Sequence, residues 1–141
     1  MKSIVPYLRF NGNCEEAFNF YRSVFGGEFR LIKRLNEVVP EGRSVIPEDT
    51  GKRIIHISLF FGDMVLMGSD TGNKWTSNAP INNIILSLKA DSKERADYLY
   101  RSLSEGGNII IPLKEIFWKE YYGVLSDRFG IKWMVSFRPE S

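Results

Sequence analysis

The sequence predicts an α+β fold: one domain, residues 1–141, built from two βαβββ modules at 1–70 and 80–138. The two modules are expected to pair their strands into a curved, barrel-like mixed sheet, with the helices outside. Three observations carry this. First, AFNFYRSVFGG at 17–27 returns as ADYLYRSLSEGG at 96–107, with Ala17 on Ala96, Tyr21 on Tyr100, Arg22 on Arg101 and Val24 on Leu103. Second, the apolar residues of both copies recur at helical spacing, and each copy ends in Gly-Gly. Third, a Phe-Gly turn joins two apolar runs downstream of each copy, in SLFFGDMVLMG and SDRFGIKWMVSF.

The elements follow in order. PYLRF opens the first module as a short strand, with Leu8 and Phe10 toward the core and Tyr7 and Arg9 on the other face. Asn13 is the expected N-cap of the first helix, and Glu15 and Glu16 suit its first turn, where the helix dipole favours negative charge. Ala17, Phe20, Tyr21 and Val24 form its apolar face, and Gly26-Gly27 stops it. The segment NEVVPEGRSVIPEDTGK, rich in Pro, Gly and charge, reads as a loop between strands. In the strand IIHISLFF, the parity Ile55, Ile57, Leu59 and Phe61 is wholly apolar, while Ile54, His56, Ser58 and Phe60 is mixed. SDTGNKWTSNAP joins the halves. The second module opens with NIILSLK, where Ile84, Leu86 and Leu88 take the core parity and Asn83, Ile85 and Ser87 the other. Asp91 or Ser92 caps its helix, and Ala96, Leu99, Tyr100 and Leu103 form that helix's apolar face. KEIFWKEYYG, too polar for a central strand, suggests either a flap or a surface hairpin.

Composition narrows the function. Apolar residues at 43% and charged residues at 26% are ordinary for a globular protein, and the net charge is only +2. Lys and Arg are scattered without a basic run, so no nucleic-acid partner is expected. The N-terminus meets Arg9 before any long apolar stretch, which predicts neither a signal peptide nor a membrane partner. The single Cys14 allows no internal disulfide and reads as a reduced thiol in a cytoplasmic protein. Its place near a helix start would lower a thiol pKa, but a structural role is the expectation.

PYLRFNGNCEEAFNFYRSVFGGE, IIHISLFFGDMVLMGSD and PLKEIFWKEYYGVLSDRFGIKWMV together resemble the vicinal oxygen chelate superfamily of glyoxalases, bleomycin-resistance proteins and extradiol dioxygenases. Within it, the resemblance is to the PhnB-like branch, often labelled 3-demethylubiquinone-9 3-methyltransferase-like. It implies the glyoxalase/bleomycin resistance fold and leaves the chemistry open, because that superfamily hosts isomerases, dioxygenases, lyases and binding proteins. The methyltransferase label lacks its usual signature: no GxGxG occurs, and both Gly-Gly pairs follow helices. Metal-using members hold a divalent ion through His and Glu of both modules. By that resemblance the ligand positions fall near Pro6, on His56, on Asn83 and near Met134, leaving one strong donor where three are needed. No metal and no other cofactor is therefore expected.

The candidate site residues follow from parity and resemblance together. His56 and Glu115 are the candidate catalytic bases; Tyr7, Arg9, Ser87, Phe117 and Trp118 are candidate ligand-binding residues. His56 also reads as a neutral core histidine bonded to Ser58 or the backbone. The small-molecule partner is expected to be polar or aromatic, bound either for proton-transfer or lyase chemistry or for sequestration alone. A metal enzyme with a rearranged ligand set is the third reading. The second expected partner is another copy of the chain. A homodimer would cover open sheet edges and the apolar loop residues Val38, Val39, Val45, Ile46 and Trp75.

Overall fold

A computed structural model describes residues 1–38, 47–70, 83–116 and 119–139. The chain separates into two compact units, Met1–Ala79 and Pro80–Ser141. Phe117, Trp118, Val39, Val45, Ile46 and Trp75 lie outside the described residues.

The first unit runs β1 (Tyr7–Phe10), α1 (Cys14–Phe25), β2 (Glu28–Arg34), α2 (Leu35–Val38), α3 (Glu48–Gly51), β3 (Ile54–Phe61) and β4 (Met64–Asp70). Its four strands make one sheet in the order β1-β4-β3-β2, parallel only between β1 and β4. The second unit repeats this with β5 (Leu86–Lys89), α4 (Lys93–Ser104), β6 (Asn108–Glu115), β7 (Tyr121–Ser126) and β8 (Lys132–Phe137), ordered β5-β8-β7-β6. The expected α+β class and the doubled βαβββ order are both present, as two mixed four-stranded sheets, neither closed into a barrel. The helices α1 and α4 keep the spacing of the sequence repeat at both ends. The short helices α2 and α3 fall at the two ends of the segment read as a loop, so that segment is not loop throughout.

Each helix packs an apolar stripe on its own sheet. In α1 that stripe is Cys14, Ala17, Phe18, Tyr21 and Val24. Phe18 is wholly buried where the periodicity pointed to Phe20, which is only half-buried. The reason lies in β4: Gly68 has no Cβ, and one placed there would stand 2.6 Å from the Phe18 ring. The sheet leaves a socket and Phe18 fills it. In α4 the buried residues are Ala96, Leu99, Tyr100 and Leu103, as the pattern predicts. Ile84 and Ile85 precede β5 and are exposed, so the core parity assigned to Ile84 does not extend that far. No described helix is long and apolar enough to cross a membrane.

Candidate functional site

The parity of β3 breaks at one point, and that break sets the site. Ile54, not Ile55, is fully buried. The register with β2 shifts between Lys33 and Arg34: Arg34 pairs with Ile54 but Lys33 pairs with His56, leaving Ile55 as an extra residue. This is a β-bulge, a device that re-aims the side chains beyond it. Arg34 reaches Glu15 on α1, so Ile54 shares the helix side of the sheet. His56 falls on the opposite, open side together with Ser58 and Phe60, while Ile57, Leu59 and Phe61 turn to the helix.

β1 confirms the sides. Leu8 and Phe10 are buried, and the Phe10 ring meets Phe18 edge-on. Tyr7 and Arg9 therefore stand on the open side, where Tyr7 Oη lies 3.4 Å from His56 Nδ1. The phenol donates to that nitrogen when the nitrogen carries no proton. The two rings stand 5.8 Å apart, tilted by 41°. Arg9 pairs with Ser69, and Tyr7 with Met67, which in turn pairs with Ser58. Ser58 and Ser69 are only 3% and 5% exposed. The open face thus has a floor of buried hydroxyls, a half-buried imidazole, an exposed phenol, and cations at Arg9 and Lys33.

The helix side of the same unit holds a different kind of polar group. Asp70, ending β4, accepts from Gly12 N and Cys14 N through one oxygen and from Ile54 N through the other. The first N–H of α1, that of Cys14, is thereby met by a carboxylate from the far end of the module. Asn13, expected as the cap, makes no side-chain cap bond. Cys14 beside it is fully buried, and burial first, then Asp70 and Glu15, push its thiol well above the ordinary range. The helix start that would activate a thiol instead holds an inert one.

In the second unit, Ser87 on β5 is exposed and pairs with Met134, its Oγ 3.9 Å from the Met134 sulfur. Glu115 ends β6 at the opposite edge of that sheet and is exposed. Its register partner Tyr121 turns to α4, donating to Asp97 Oδ1 at 2.6 Å. Glu115 and Ser87 therefore share neither edge nor face. The stretch KEIFWKEYYG is where β6 turns into β7, with Ile116 N donating to the Glu120 carbonyl. One feature escaped the sequence reading: a shallow groove of about 330 Å³ beside α4, lined by Asp97, Tyr100, Arg101, Ile109, Pro112, Leu113 and Tyr121. Its lining mixes residues of α4, β6 and β7, and their separation in sequence gives no common signal.

The family resemblance raises a divalent metal as a possible occupant. Among the described residues, no three His, Cys, Asp or Glu side chains converge as a ligand set. Around His56 stand a phenol, a serine hydroxyl and an ammonium. These do not fit a resident transition ion.

Comparison with known proteins supplies the family. A family model described as 3-demethylubiquinone-9 3-methyltransferase matches residues 2–136. The chain belongs to that family. It is 38% identical to protein PA1353 from Pseudomonas aeruginosa, whose crystal structure superposes with a TM-score of 0.78, covering 99% of this chain and 100% of that one. A PhnB protein from Bacillus cereus, described as a putative 3-demethylubiquinone-9 3-methyltransferase, is 27% identical, with a TM-score of 0.76 over 96% and 99% of the two chains. Protein YjdN of Escherichia coli is 26% identical over 136 residues, 93% of this chain and 92% of its own. A glyoxalase/bleomycin resistance protein/dioxygenase family enzyme from Burkholderia phytofirmans, at 15% identity, shares the fold with a TM-score of 0.63 over 96% and 97% of the chains.

Proposed function

We propose that this member of the family binds a small polar or aromatic molecule on the open face of its first sheet. Tyr7 and Arg9 contact the ligand in this reading, and His56 is the group that exchanges hydrogen bonds or a proton with it. The observation that carries the reading is the Tyr7–His56 pair, held on the side of the sheet away from α1 by the bulge at Ile55. The bulge that seats Ile54 on the helix side thereby also leaves His56 on the open side, against a phenol. If the bound molecule is turned over, His56 acts as a general base without a metal. A sequestering role needs the same contacts and no base. Native mass spectrometry of co-purifying molecules tests the reading. His56→Ala is expected to weaken retention of such a molecule by about tenfold while costing under about 1 kcal/mol of stability. Loss of folding without a specific loss of binding would reverse it, as would about one bound transition ion per chain on elemental analysis.

We infer further that the protein acts in the cytoplasm as a homodimer. Each sheet ends on outer strands, and β6, the outer strand of the second sheet, leaves Ile109 59% and Ile110 49% exposed. Light scattering that returned a single-chain mass, unchanged on concentrating, would dismiss the dimer.

A further inference from the structure

The register places His56 in a row that crosses the whole first sheet. Arg9 on β1 pairs with Ser69 on β4, and Lys33 on β2 pairs with His56 on β3. Ile57 pairs with Gly68, so one step along the antiparallel ladder His56 stands beside Ser69. The row on the open face is therefore Arg9–Ser69–His56–Lys33, spanning roughly 14 Å between the outer backbones. Its members are exposed, buried, half-buried and exposed in turn.

The second sheet carries the same row. Lys89 on β5 pairs with Ser136 on β8, Ser136 with Tyr122 on β7, and Tyr122 with Lys114 on β6. These residues also lie away from their helix. Their neighbours Val135 and Gly123 take the other side, where a Cβ on Gly123 would stand 2.8 Å from the Tyr100 ring of α4. The row Lys89–Ser136–Tyr122–Lys114 again runs exposed, buried, half-buried, exposed. In both sheets the serine is the penultimate residue of the last strand. Cation, buried hydroxyl, ring bearing a polar hydrogen, cation: the chemistry is repeated although only the serine and the last lysine are identical.

We infer that each row is a binding site for the oxyanion group, carboxylate or phosphate, of a small molecule. The two outer cations stand on stems long enough to close over a bound oxyanion, and the inner pair supplies hydroxyl and ring donors between them. No row position is acidic. Glu28, the acidic residue that the register sets on the open face of the first sheet, pairs with Phe60 at the other end of β3 and lies 4.0 Å from Arg30. The first row rests on the proposed reading of the His56 face; the second is new to it.

The test uses the full chain, isotope-labelled, titrated with phosphate, acetate, benzoate and neutral benzamide against sodium chloride of equal ionic strength. Saturable resonance shifts are expected around Ser69 and His56 and around Ser136 and Tyr122. The first set should weaken by about tenfold or more in Arg9→Gln/Lys33→Gln and the second in Lys89→Gln/Lys114→Gln, each leaving the other row unchanged. Response to phosphate, or to acetate and benzoate, assigns the preferred oxyanion. Shifts no larger than those of sodium chloride, or shifts that survive the variants, overturn the inference. Benzamide binding at His56 as well as benzoate does would overturn the anion assignment and leave the small-molecule reading standing. Failure of all four probes at His56 would remove both. Shifts confined to the first sheet would remove the second site.

Discussion

The two modules share a topology and solve its polar problems differently. In the first, one carboxylate at the end of β4, Asp70, ties together the β1–α1 turn, the start of α1 and the start of β3. In the second, these duties are divided. Ser92 caps α4 locally by accepting from Arg95 N. Asp127 organises the longer β7–β8 turn, accepting from Phe129 N and Ile131 N through one oxygen and from the Trp133 indole through the other. The apolar pattern sets the fold in both. The bridging carboxylate, half-buried at Asp70 and buried at Asp127, goes where the connections leave donors without partners, and that place differs because the connections differ.

Removing these carboxylates should give the largest effects and break the comparison if it is wrong. Asp70→Ala leaves three backbone donors and is expected to cost about 3 kcal/mol. Asp127→Ala leaves a buried indole N–H and two backbone donors, at a similar cost of about 3 kcal/mol. Urea unfolding measures both. A loss under about 1 kcal/mol for either would mean that water replaces the carboxylate and that the hub is decorative.

The next effect concerns the sockets. Gly68 sits beneath Phe18 of α1, and Gly123 beneath Tyr100 of α4, with Leu8 O 2.7 Å and Leu113 Cα 2.8 Å from the Cβ each would carry. Backbone cannot yield as a side-chain tip does, so Gly68→Ala and Gly123→Ala should each cost about 1–3 kcal/mol by overpacking. Thermal unfolding of the two variants checks this. Equal losses would show that the modules use the same helix-seating device on different strands.

How much of this the sequence exposes follows from the range of each interaction. The doubled βαβββ order of elements and both helix ranges are legible because apolar period, caps and Gly-Gly stops are local and occur twice. Phe18 is missed in favour of Phe20 because its socket is a glycine fifty residues away. Ile54 and Ile55 exchange places because a bulge shifts the register, which alternation alone does not show. Asn13 looks like a cap, but Asp70 takes that role across the module. The site reading of His56, Tyr7 and Arg9 on one face follows from parity in β1 and β3. The two cationic rows do not, since a transverse row exists only once four strands are in register.

The two helix starts give a smaller and sharper contrast. Ser92→Ala should cost about 1 kcal/mol, as loss of a working N-cap does. Asn13→Ala should be close to neutral, because Asn13 makes no side-chain cap bond. Urea midpoints for the pair decide it. A larger loss at Asn13 than at Ser92 would contradict the assignment of the α1 cap to Asp70.

The smallest effects separate the modules by pH. In the first, Arg34 binds Glu15 of α1 through both carboxylate oxygens, a contact that holds Glu15 below the usual carboxylate range. A depressed carboxylate contributes stability that is present above its unfolded value and lost as pH falls through the folded one. In the second, Tyr121 donates to Asp97 of α4, and that bond first, then burial, pushes the phenol up to about 12. A raised phenol contributes stability that is complete below its unfolded value and lost as pH rises through about 12. The two helix-to-sheet ties therefore fail at opposite ends of the pH scale. Glu15 is about half exposed, with 48% of its side chain accessible. Solvent screens its tie, and Glu15→Gln should cost under about 1 kcal/mol at neutral pH. Tyr121→Phe should cost about 1 kcal/mol through the lost hydrogen bond. Urea unfolding across pH should show the Glu15→Gln difference from wild type vanishing on acidification and the Tyr121→Phe difference vanishing only in strong alkali. Phenolate absorbance adds an independent readout, because Asp97→Asn should bring one late-titrating tyrosine back toward the ordinary range while leaving Tyr100, raised by burial alone, where it is. If both differences faded at the same end of the scale, the two modules would share one kind of tie after all.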